Sequence, residues 1–381
     1  MRIGIDALYL QEKNYQAGLY QYTHHLISGL QALDPANEYI LYFLNWRSRK
    51  SDCILRGEPF SKNVRREICR IPYRALFALD RFGVPVSLFL GRVDLFHGPS
   101  FRLPPGRFFK KSVVTIHDLK FKHPELFADS VGREFFRRGT LDAIDRADLL
   151  VAVSDFTRAE LIDEFDVSPE RIRVVHPGIG QEFRPDLAPE EVARVKSKYG
   201  LKGCYVLFVG FLEAKKNLPR LIRAFAEVRK RLAVSYSLVL AGPAGPAAGE
   251  VAETIRECSL AGAVILTGQV PREDLPYLYG GADLFVFPSL HEGFGIPPLE
   301  AMACGVPVVS SRAASLPEVI GDAGLLVDPF KTEEIADAMD SVLTDQALCS
   351  DLKKRGLVRA ESFSWGRMSK EILAIYKELG R

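Results

Sequence analysis

The stretch that decides the fold is HEGFGIPPLEAMACGVPVV, which runs from His291 to Val309. It predicts a loop that turns into a helix, because Gly293 and Gly295 permit close approach of the backbone and the prolines that follow suit a first helical turn. Leu299–Ala303 continues that helix. The glycines are therefore expected where a loop meets a helix N-terminus.

Apolar runs of strand length flank this loop and helix, at Asp283–Ser289 and Val306–Ser310. In open α/β sheets, ligands bind where parallel strands end, and a helix N-terminus there offers unpaired N–H groups to an anion. Glu292 and Glu300 bracket the junction, and carboxylates accept hydrogen bonds from the hydroxyls of a sugar or ribose. The pattern favours a nucleotide sugar as ligand, and a tight turn with exposed glutamates is the plainer alternative.

The length of 381 residues fits two domains, and 47% apolar with 26% charged residues is typical of a soluble globular protein. The N-terminal MRIGIDALYL predicts a strand rather than a signal peptide, and no uncharged apolar run is long enough to span a membrane. Six scattered cysteines without a C-x-x-C pair predict reduced thiols and argue against a zinc site or a disulfide framework. They are Cys53, Cys69, Cys204, Cys258, Cys304 and Cys349.

The net charge of +2 conceals a basic region between Arg47 and Lys111. Fifteen Arg and Lys against five acids give this region a net charge of 15 − 5 = +10. Its segment RREICRIPYRALFALDRFGVPVSLFL interleaves arginine with apolar residues, which suits a surface resting on anionic lipid. A solvated basic face is the alternative, and nucleic acid is disfavoured because no nucleic-acid-binding motif accompanies the charge.

Two helix starts carry capping signals. The helix that follows the strand Asp148–Ser154 is expected to be capped by Ser154 or Asp155. The helix TEEIADAMDSVL is expected to begin with a capping box at Thr332.

The spacing of Glu292 and Glu300, eight positions apart and followed by AMACGVPVV, resembles the E-x7-E motif of retaining glycosyltransferase family 4. The resemblance implies the GT-B fold, an α/β architecture of two Rossmann-like doubly wound parallel-sheet domains that face a central cleft. Matching motifs run from Gly18 to Asp328, so the resemblance covers nearly the whole chain. It implies an acceptor-binding domain over residues 1–186 plus 366–381 and a nucleotide-sugar donor-binding domain over residues 187–365.

The N-terminal half carries two further segments of this resemblance. Gly18 and Tyr22 match the glycine loop of the family, although the residues between them depart from it. The segment VVTIHDLKFKHPELF is similar to the T-x-H-D and HPE segments of the family, in which the histidine, here His117, borders the donor sugar. His97 lies in another familiar segment and is assigned to loop structure.

The C-terminal half carries E-x-K-K-N-L, similar to the E-x-R-K-N-L of the family. Lys215 and Lys216 stand just before a predicted helix, where ammonium groups and helix N–H groups together suit a diphosphate. The resemblance assigns the phosphate first to Lys216 and then to Lys215. Some members carry an arginine after the preceding strand, and Phe211 takes that place here.

The resemblance implies a set of donor-binding residues around these motifs. They are Gly18, Asp118, Lys215, Lys216, Glu292, Phe294, Gly295, Ile296 and Glu300, with His117, Glu292 and Lys216 as the catalytic residues. Glu300 is expected to hold the ribose and Glu292 the transferred sugar.

The reaction implied is retaining transfer of a hexose, of mannose or glucose type, from a GDP-sugar or UDP-sugar. The acceptor is a lipid-linked or oligosaccharide molecule of cell-surface polysaccharide synthesis, reached in the cytoplasm or at the inner face of the plasma membrane. No cofactor and no metal are expected, since lysines and a helix end can neutralise the leaving diphosphate. A non-catalytic nucleotide-sugar-binding subunit and a GT-B epimerase or hydrolase are the alternatives.

Overall fold

The computed structural model describes residues 1–11, 18–44, 61–69, 71, 73–106, 108–127 and 130–380. Two compact units divide the chain. The first comprises Met1–Leu119, Val131–Gly178 and Trp365–Arg381, and the second comprises Lys120–Ser130 and Ile179–Ser364. The predicted domain boundary at residue 186 lies a little beyond the end of the first unit at Gly178. The separate placement of Lys120–Ser130 is not foreseen from the sequence.

A parallel sheet forms the centre of the first unit, with seven strands within the described residues. They are β1 (Arg2–Asp6), β2 (Glu38–Leu44), β3 (Val64–Cys69), β4 (Val93–Gly98), β5 (Phe109–Ile116), β6 (Leu149–Ala152) and β7 (Ile172–Val174). Their order is β3-β2-β1-β4-β5-β6-β7. The central strands are apolar and buried on both faces, as parallel strands covered by helices require.

A second parallel sheet forms the centre of the second unit, with six strands. They are β8 (Cys204–Val209), β9 (Tyr236–Ala241), β10 (Val264–Gly268), β11 (Leu284–Phe287), β12 (Val308–Ser311) and β13 (Leu325–Val327). Their order is β10-β9-β8-β11-β12-β13. The two sheets and their helices confirm the predicted fold class of two Rossmann-like domains.

Helices follow most strands in both units. In the first half of the chain they are Gly18–Leu33, Tyr73–Arg81, Ser87–Leu90, Ser130–Arg146 and Asp155–Phe165. In the second half they are Pro189–Lys198, Leu218–Arg231, Ala248–Glu257, Leu275–Gly280, Ile296–Ala303, Leu316–Ile320, Thr332–Thr344, Gln346–Glu361 and Trp365–Leu379. None of the helices in the described ranges combines the length and apolar character needed to cross a bilayer.

The Leu218–Arg231 helix shows how sequence produces these layers. Leu218, Leu221, Ile222 and Phe225 are buried, and their spacing places them on one face of the helix. Basic residues occupy its last turn, where they complement the helix dipole. The helix thereby covers one face of the sheet and keeps its charges in water.

The strand order reverses once in each sheet, between β1 and β4 and between β8 and β11. At such a switch point the loops leaving the two neighbouring strands diverge to opposite faces, which opens a crevice at the carboxyl edge. In the second unit, these loops are residues 210–217 after β8 and residues 288–295 after β11. The predicted lysines and Glu292 therefore lie on adjacent loops.

Several local expectations are settled by the structure. Ser154 caps the Asp155–Phe165 helix by accepting the N–H of Thr157, which confirms one of the two predicted caps. The capping box at Thr332 is wrong, because Lys331 is the N-cap and no side-chain cap bond forms there. Glu334, in the first turn of this helix, accepts the N–H of Asp328 at 3.1 Å.

Part of the predicted basic region lies outside the described residues. This part includes residues 47–60, with Cys53, and also Arg70 and Arg107. The other five cysteines have free thiols.

Candidate active site

The carboxyl edge of the second sheet brings the predicted lysines onto the loop of Glu292. Lys215 and Lys216 end a short 3-10 turn, Ala214–Lys216, that leads into the Leu218–Arg231 helix. The backbone N–H of Leu290 donates to the carbonyl of Lys215 at 2.7 Å, which ties the two loops together. The switch point of the sheet thus fixes side chains that are far apart in sequence.

Glu292 forms an ion pair with both lysines. Lys216 Nζ donates to Glu292 Oε1 at 2.6 Å, and Lys215 Nζ donates to Glu292 Oε2 at 3.2 Å. All three residues are buried, with 7 to 8% exposure. Glu213, which is less buried, also lies 3.7 Å from Lys215 Nζ, so the two ammonium groups face two carboxylates.

The charges of the cluster stabilise one another. Burial alone would raise the pKa of Glu292, but the charges of Lys215 and Lys216 outweigh burial and lower this pKa to about 2. Burial lowers the pKa of Lys216, and the Glu292 carboxylate counteracts that effect. Lys216 Nζ also lies 4.7 Å from the centre of the Phe287 ring, a favourable cation–π position. Glu292 is therefore a carboxylate across the physiological pH range.

Gly295 forms the bend into the Ile296–Ala303 helix. Its φ of 106° is strained for a residue with a side chain, and a Cβ there would come 2.7 Å from Leu316 Cδ2. Ser315 donates its hydroxyl to the carbonyls of Glu292 and Phe294, both at 2.9 Å. Glycine at the bend and Ser315 behind it hold the loop of Glu292.

Glu300 lies on the Ile296–Ala303 helix, buried beside two groups that the sequence analysis did not single out. Tyr279 donates its hydroxyl to Glu300 Oε2 at 2.9 Å. Arg272 approaches Glu300 Oε1 at 4.0 Å and pairs with Glu182 at 2.6 Å. Burial raises the pKa of Glu300 to about 7, and Arg272 and Tyr279 oppose this rise.

Asn217, the asparagine of the motif E-x-K-K-N-L, has a structural role at this edge that the sequence analysis did not identify. Its backbone is left-handed, with φ of 58°, which asparagine tolerates better than most residues. Its side-chain amide donates to the carbonyls of Pro288 and Pro329 at 3.2 and 2.7 Å. The asparagine thus joins the lysine turn to the loop after β11.

The remaining predicted residues of this edge differ in what they offer. The Phe294 side chain is 5% exposed and packs edge-on against Phe363, so only its backbone is placed to reach a ligand. Ile296 is the first residue of its helix. Phe211, in the position where some family members have arginine, is 42% exposed.

The first unit holds Gly18, His117 and Asp118. Gly18 begins the Gly18–Leu33 helix, and a Cβ there would meet no described atom within 4 Å. His117 and Asp118 directly follow β5 and are half-buried. Burial lowers the pKa of His117, although its hydrogen bond with Pro99 and the charge of Asp118 oppose this.

The assignment of His97 to loop structure is wrong. His97 lies within β4, pairs with Ile5 of β1 and Val113 of β5, and is fully buried. Its ring nitrogens lie within hydrogen-bonding distance of the hydroxyls of Tyr376 and Thr115, which satisfies the hydrogen-bonding capacity of the buried imidazole.

The Lys120–Ser130 segment belongs to the second unit. The ring of His123 lies 5.1 Å from the ring of His291, the residue before Glu292. The turn Pro124–Leu126 of this segment packs against the lysine turn Ala214–Lys216. The HPE segment therefore supports the corner that holds the lysines and Glu292.

Comparison with known proteins identifies the family. A family model described as glycosyl transferases group 1 matches residues 190–359, and one described as glycosyltransferase family 4 matches residues 17–183. The chain is 36% identical over 288 residues to O-antigen chain mannosyltransferase B of Escherichia coli, covering 75% of this chain and 74% of that protein. This chain is a family 4 glycosyltransferase.

A second relative is much longer than this glycosyltransferase. The serotype-specific mannosyltransferase WbdA of Escherichia coli is 34% identical over 287 residues, which cover 74% of this chain and 34% of WbdA. The matched part of the glycosyltransferase thus spans about a third of the length of WbdA.

Solved structures show the same GT-B fold as the glycosyltransferase. Sucrose-phosphate synthase from Thermosynechococcus elongatus superposes with a TM-score of 0.77 at 21% identity, covering 100% of this chain and 99% of that chain. Anabaena HepE, in complex with UDP and glucose, superposes with a TM-score of 0.76 at 19% identity, covering 99% of this chain and 100% of that chain.

Proposed function

We propose that this glycosyltransferase moves a hexose from a nucleotide diphosphate sugar to a saccharide or lipid-linked acceptor of cell-surface polysaccharide synthesis. The observation that carries the proposal is the buried cluster of Lys215, Lys216 and Glu292 beside the start of the Ile296–Ala303 helix. Its two buried ammonium groups suit a diphosphate, and the carboxylate of Glu292 suits sugar hydroxyls.

Mannose is the preferred sugar in this proposal. Two relatives with 34 to 36% identity are named as mannosyltransferases, one of the O-antigen chain. Glu300 would hold the ribose of a GDP or UDP donor, and the N–H groups of Gly295 and Ile296 would contact the diphosphate. Gly18, His117 and Asp118 would contact the sugar-phosphate part of the donor.

Retention of configuration is proposed to occur by front-face attack. The alternative, a double displacement, would need a free carboxylate nucleophile, for which Glu292 and Asp118 are the candidates. Both oxygens of Glu292 are held by ammonium groups and the pKa of this carboxyl is about 2, which makes it a weak nucleophile and base. In our proposal the bond from the anomeric carbon to the phosphate oxygen breaks, the acceptor oxygen bonds to the same face, and the departing phosphate takes the acceptor proton.

The proposed reaction needs no metal ion. The leaving diphosphate develops negative charge, and two ammonium groups with a helix N-terminus supply fixed positive charge in a buried site. We expect transfer to be unchanged by EDTA. A rate that falls with EDTA and returns with Mg²⁺ or Mn²⁺ would contradict this part of the proposal.

Peripheral contact with an anionic membrane at the cytoplasmic face is proposed for the basic region. Phe82 and Leu88 are 82% and 73% exposed, and the exposed Arg81 and Arg92 lie close to them in sequence. Exposed apolar residues beside arginines suit an interfacial surface. Co-sedimentation with vesicles containing phosphatidylglycerol, but not with pure phosphatidylcholine vesicles, is the expected result, and Phe82→Ser with Leu88→Ser should reduce it.

A thermal-shift panel of GDP, UDP, ADP and their sugars tests the donor, because a ligand of the native state raises stability with the logarithm of its concentration over Kd. The donor found in this way is then incubated with acceptor saccharides, and the anomeric configuration of the product is read by NMR. We expect a GDP-sugar or UDP-sugar to bind and the configuration to be retained. Binding without transfer to any acceptor would favour the non-catalytic subunit, and hydrolysis or epimerisation without acceptor would favour the other alternative.

A further inference from the structure

The protonation state of His117 follows from its contact with the Pro99 carbonyl. His117 Nε2 lies 2.9 Å from that oxygen, and since a carbonyl only accepts, Nε2 carries the hydrogen. Burial lowers the pKa of the imidazole, so the ring is neutral at pH 7 and above. Its Nδ1 is then a hydrogen-bond acceptor, which suits a hydroxyl of the donor sugar.

Tyr22 fixes the plane of the His117 ring. The two rings meet edge to face, with centres 4.7 Å apart and an angle of 86° between the planes. Tyr22 lies one turn beyond Gly18 on the Gly18–Leu33 helix, and its hydroxyl is 3.1 Å from Thr115 Oγ1. Tyr22 therefore joins two features proposed to contact the donor, the start of this helix and His117.

The hydrogen bonds continue behind Tyr22. Thr115 Oγ1 lies 2.9 Å from His97 Nε2, and His97 Nδ1 lies 2.5 Å from the hydroxyl of Tyr376. Tyr376 belongs to the last helix, Trp365–Leu379, whose Trp365 also meets the Tyr22 ring edge to face at 6.5 Å. Tyr22, Thr115, His97 and Tyr376 thus form a relay. The last helix supplies one end of it, Tyr376, and contacts the other end, Tyr22, through Trp365.

The relay is buried and uncharged. Its four residues have exposures of 0 to 1%. Burial lowers the pKa of His97 to about 3 and raises the pKa of both tyrosines, so no member ionises near pH 7. Two polar side chains of the sheet linked to two helix tyrosines, where apolar side chains could fill the space, point to a need for defined orientation, because such networks fix geometry at some cost in stability.

We propose that the relay of Tyr22, Thr115, His97 and Tyr376 positions His117 for its contact with the donor sugar. The relay residues touch neither the sugar nor the reacting atoms, and they act by holding the imidazole plane. The inference rests on the proposed function of His117 in hexose transfer. It gives the last helix of the chain a part in orienting the donor sugar.

Thr115→Val tests the relay, since it keeps the side-chain shape and removes the hydroxyl that links Tyr22 to His97. We expect kcat to fall roughly tenfold, because small displacements of a binding group are costly in the transition state. The Kd for GDP or UDP without a sugar should stay within about twofold, since His117 is assigned to the sugar. Tyr22→Phe should act in the same way, and Thr115→Ser should restore kcat.

Tyr39→Phe is the matched control. Tyr39 is a buried tyrosine of the same unit that donates to Asp34 at 2.6 Å and has no part in the relay. Tyr39→Phe removes a buried tyrosine hydroxyl, as Tyr22→Phe does. We therefore expect it to change the melting temperature by a similar amount and to leave kcat unchanged. Tyr376→Phe at the far end serves as the second variant if Thr115→Val does not fold.

Histidine side-chain 15N NMR gives a readout without turnover. We expect the His117 signal of the native protein to show the Nε2–H tautomer and to change in Thr115→Val but not in Tyr39→Phe. Wild-type kcat in Thr115→Val and Tyr22→Phe, beside an inactive His117→Ala, would overturn the relay and leave the proposed function standing. An active His117→Ala would overturn the role of His117 and the relay with it.

Discussion

The carboxyl edges of the two sheets differ in the chemistry of their buried groups. The edge of the second unit buries ionised groups, in which Lys215 and Lys216 face Glu292 and Arg272 lies near Glu300. The edge of the first unit holds neutral groups that are linked by hydrogen bonds and ring contacts around His117, together with the ion pair of Arg102 and the buried Asp6, 3.8 Å apart. The same sheet topology, with one reversal of strand order, supports both.

The difference separates charge binding from hydroxyl recognition. Burying an ion costs several kcal/mol unless a partner compensates it, so buried ammonium groups that carboxylates already hold are useful where the ligand itself is an anion. Neutral imidazole and hydroxyl groups recognise a sugar without attracting phosphate. The edge of the second unit therefore suits an anionic group and the neutral groups around His117 suit hydroxyls, and substitutions at each edge should fail in different ways.

Glu292→Ala should have the largest effect. It leaves two buried ammonium groups without their carboxylate, so we expect transfer to fall a hundredfold or more and the free energy of unfolding to fall by about 3 kcal/mol. Turnover and urea denaturation measure the two effects. Glu333→Ala, at an exposed glutamate, is the control that should change neither. Full stability in Glu292→Ala would contradict the ion-pair account.

Lys216→Ala should lower the rate of transfer by a hundredfold or more, a rise in activation free energy on the order of 3 kcal/mol. The substitution removes the ammonium group that we propose stabilises the negative charge of the leaving diphosphate. The affinity for GDP or UDP should fall with it, measured by calorimetry. Lys230→Ala, at an exposed lysine, should keep both values. Near-native turnover in Lys216→Ala would remove its proposed role.

His117→Ala should also lower transfer by a hundredfold or more. In contrast to Lys216→Ala, it should leave the affinity for the free nucleoside diphosphate unchanged, because a neutral imidazole is assigned to the sugar. Calorimetry with GDP or UDP and with the intact donor separates the two cases. If His117→Ala lost as much affinity for the free nucleotide as Lys216→Ala, the proposed difference between the two edges would be wrong.

Glu300→Gln should separate nucleotide binding from stability. The folded-state pKa of Glu300 is raised from 4.5 to about 7, so the stabilisation by the protonated carboxyl is complete below pH 4.5 and is lost as pH rises from there through 7. At pH 8 the variant should be more stable than the native chain by up to about 3 kcal/mol, and at about pH 4 this gain should vanish. The affinity of the native chain for nucleotide should rise about tenfold from pH 6 to pH 8, and that of the variant should stay flat.

Tyr279→Phe should have the smallest effect. The Tyr279 hydroxyl lowers the pKa of Glu300, so its loss should move the pH midpoint of nucleotide binding upward and weaken binding at pH 7 by about threefold. Calorimetry across pH measures the midpoint. Tyr205→Phe, which removes a buried hydroxyl bonded to the Leu278 carbonyl, is the control and should not move it.

The sequence predicts the fold well, because parallel strands and amphipathic helices leave strong local patterns. The alternation of apolar runs and glycine turns indicates both sheets, and the loop of Glu292 before the Ile296–Ala303 helix lies where the pattern places it. The predicted cap at Ser154 is confirmed for the same reason, since a cap depends on neighbours three residues away. The Thr332 prediction fails because the helix begins one residue earlier than the motif suggests.

The side-chain partners could not be predicted in the same way. Glu292 and Lys216 are 76 positions apart in sequence, and only the order of strands brings their loops together. Tyr279 and Arg272 belong to no recognised motif. They were missed because their role depends on the contacts with Glu300 that only the folded chain creates. His97 has the sequence surroundings of a loop, yet it is satisfied inside a strand by partners from β5 and the last helix.

The division of the chain into units has a consequence for engineering. The backbone passes from one unit to the other four times, at Leu119/Lys120, Ser130/Val131, Gly178/Ile179 and Ser364/Trp365. A chimera joined at one crossover would take the second unit without its Lys120–Ser130 segment, or the first unit without the helix Trp365–Leu379. Sugar preference should therefore transfer between relatives only in hybrids that carry all four breakpoints.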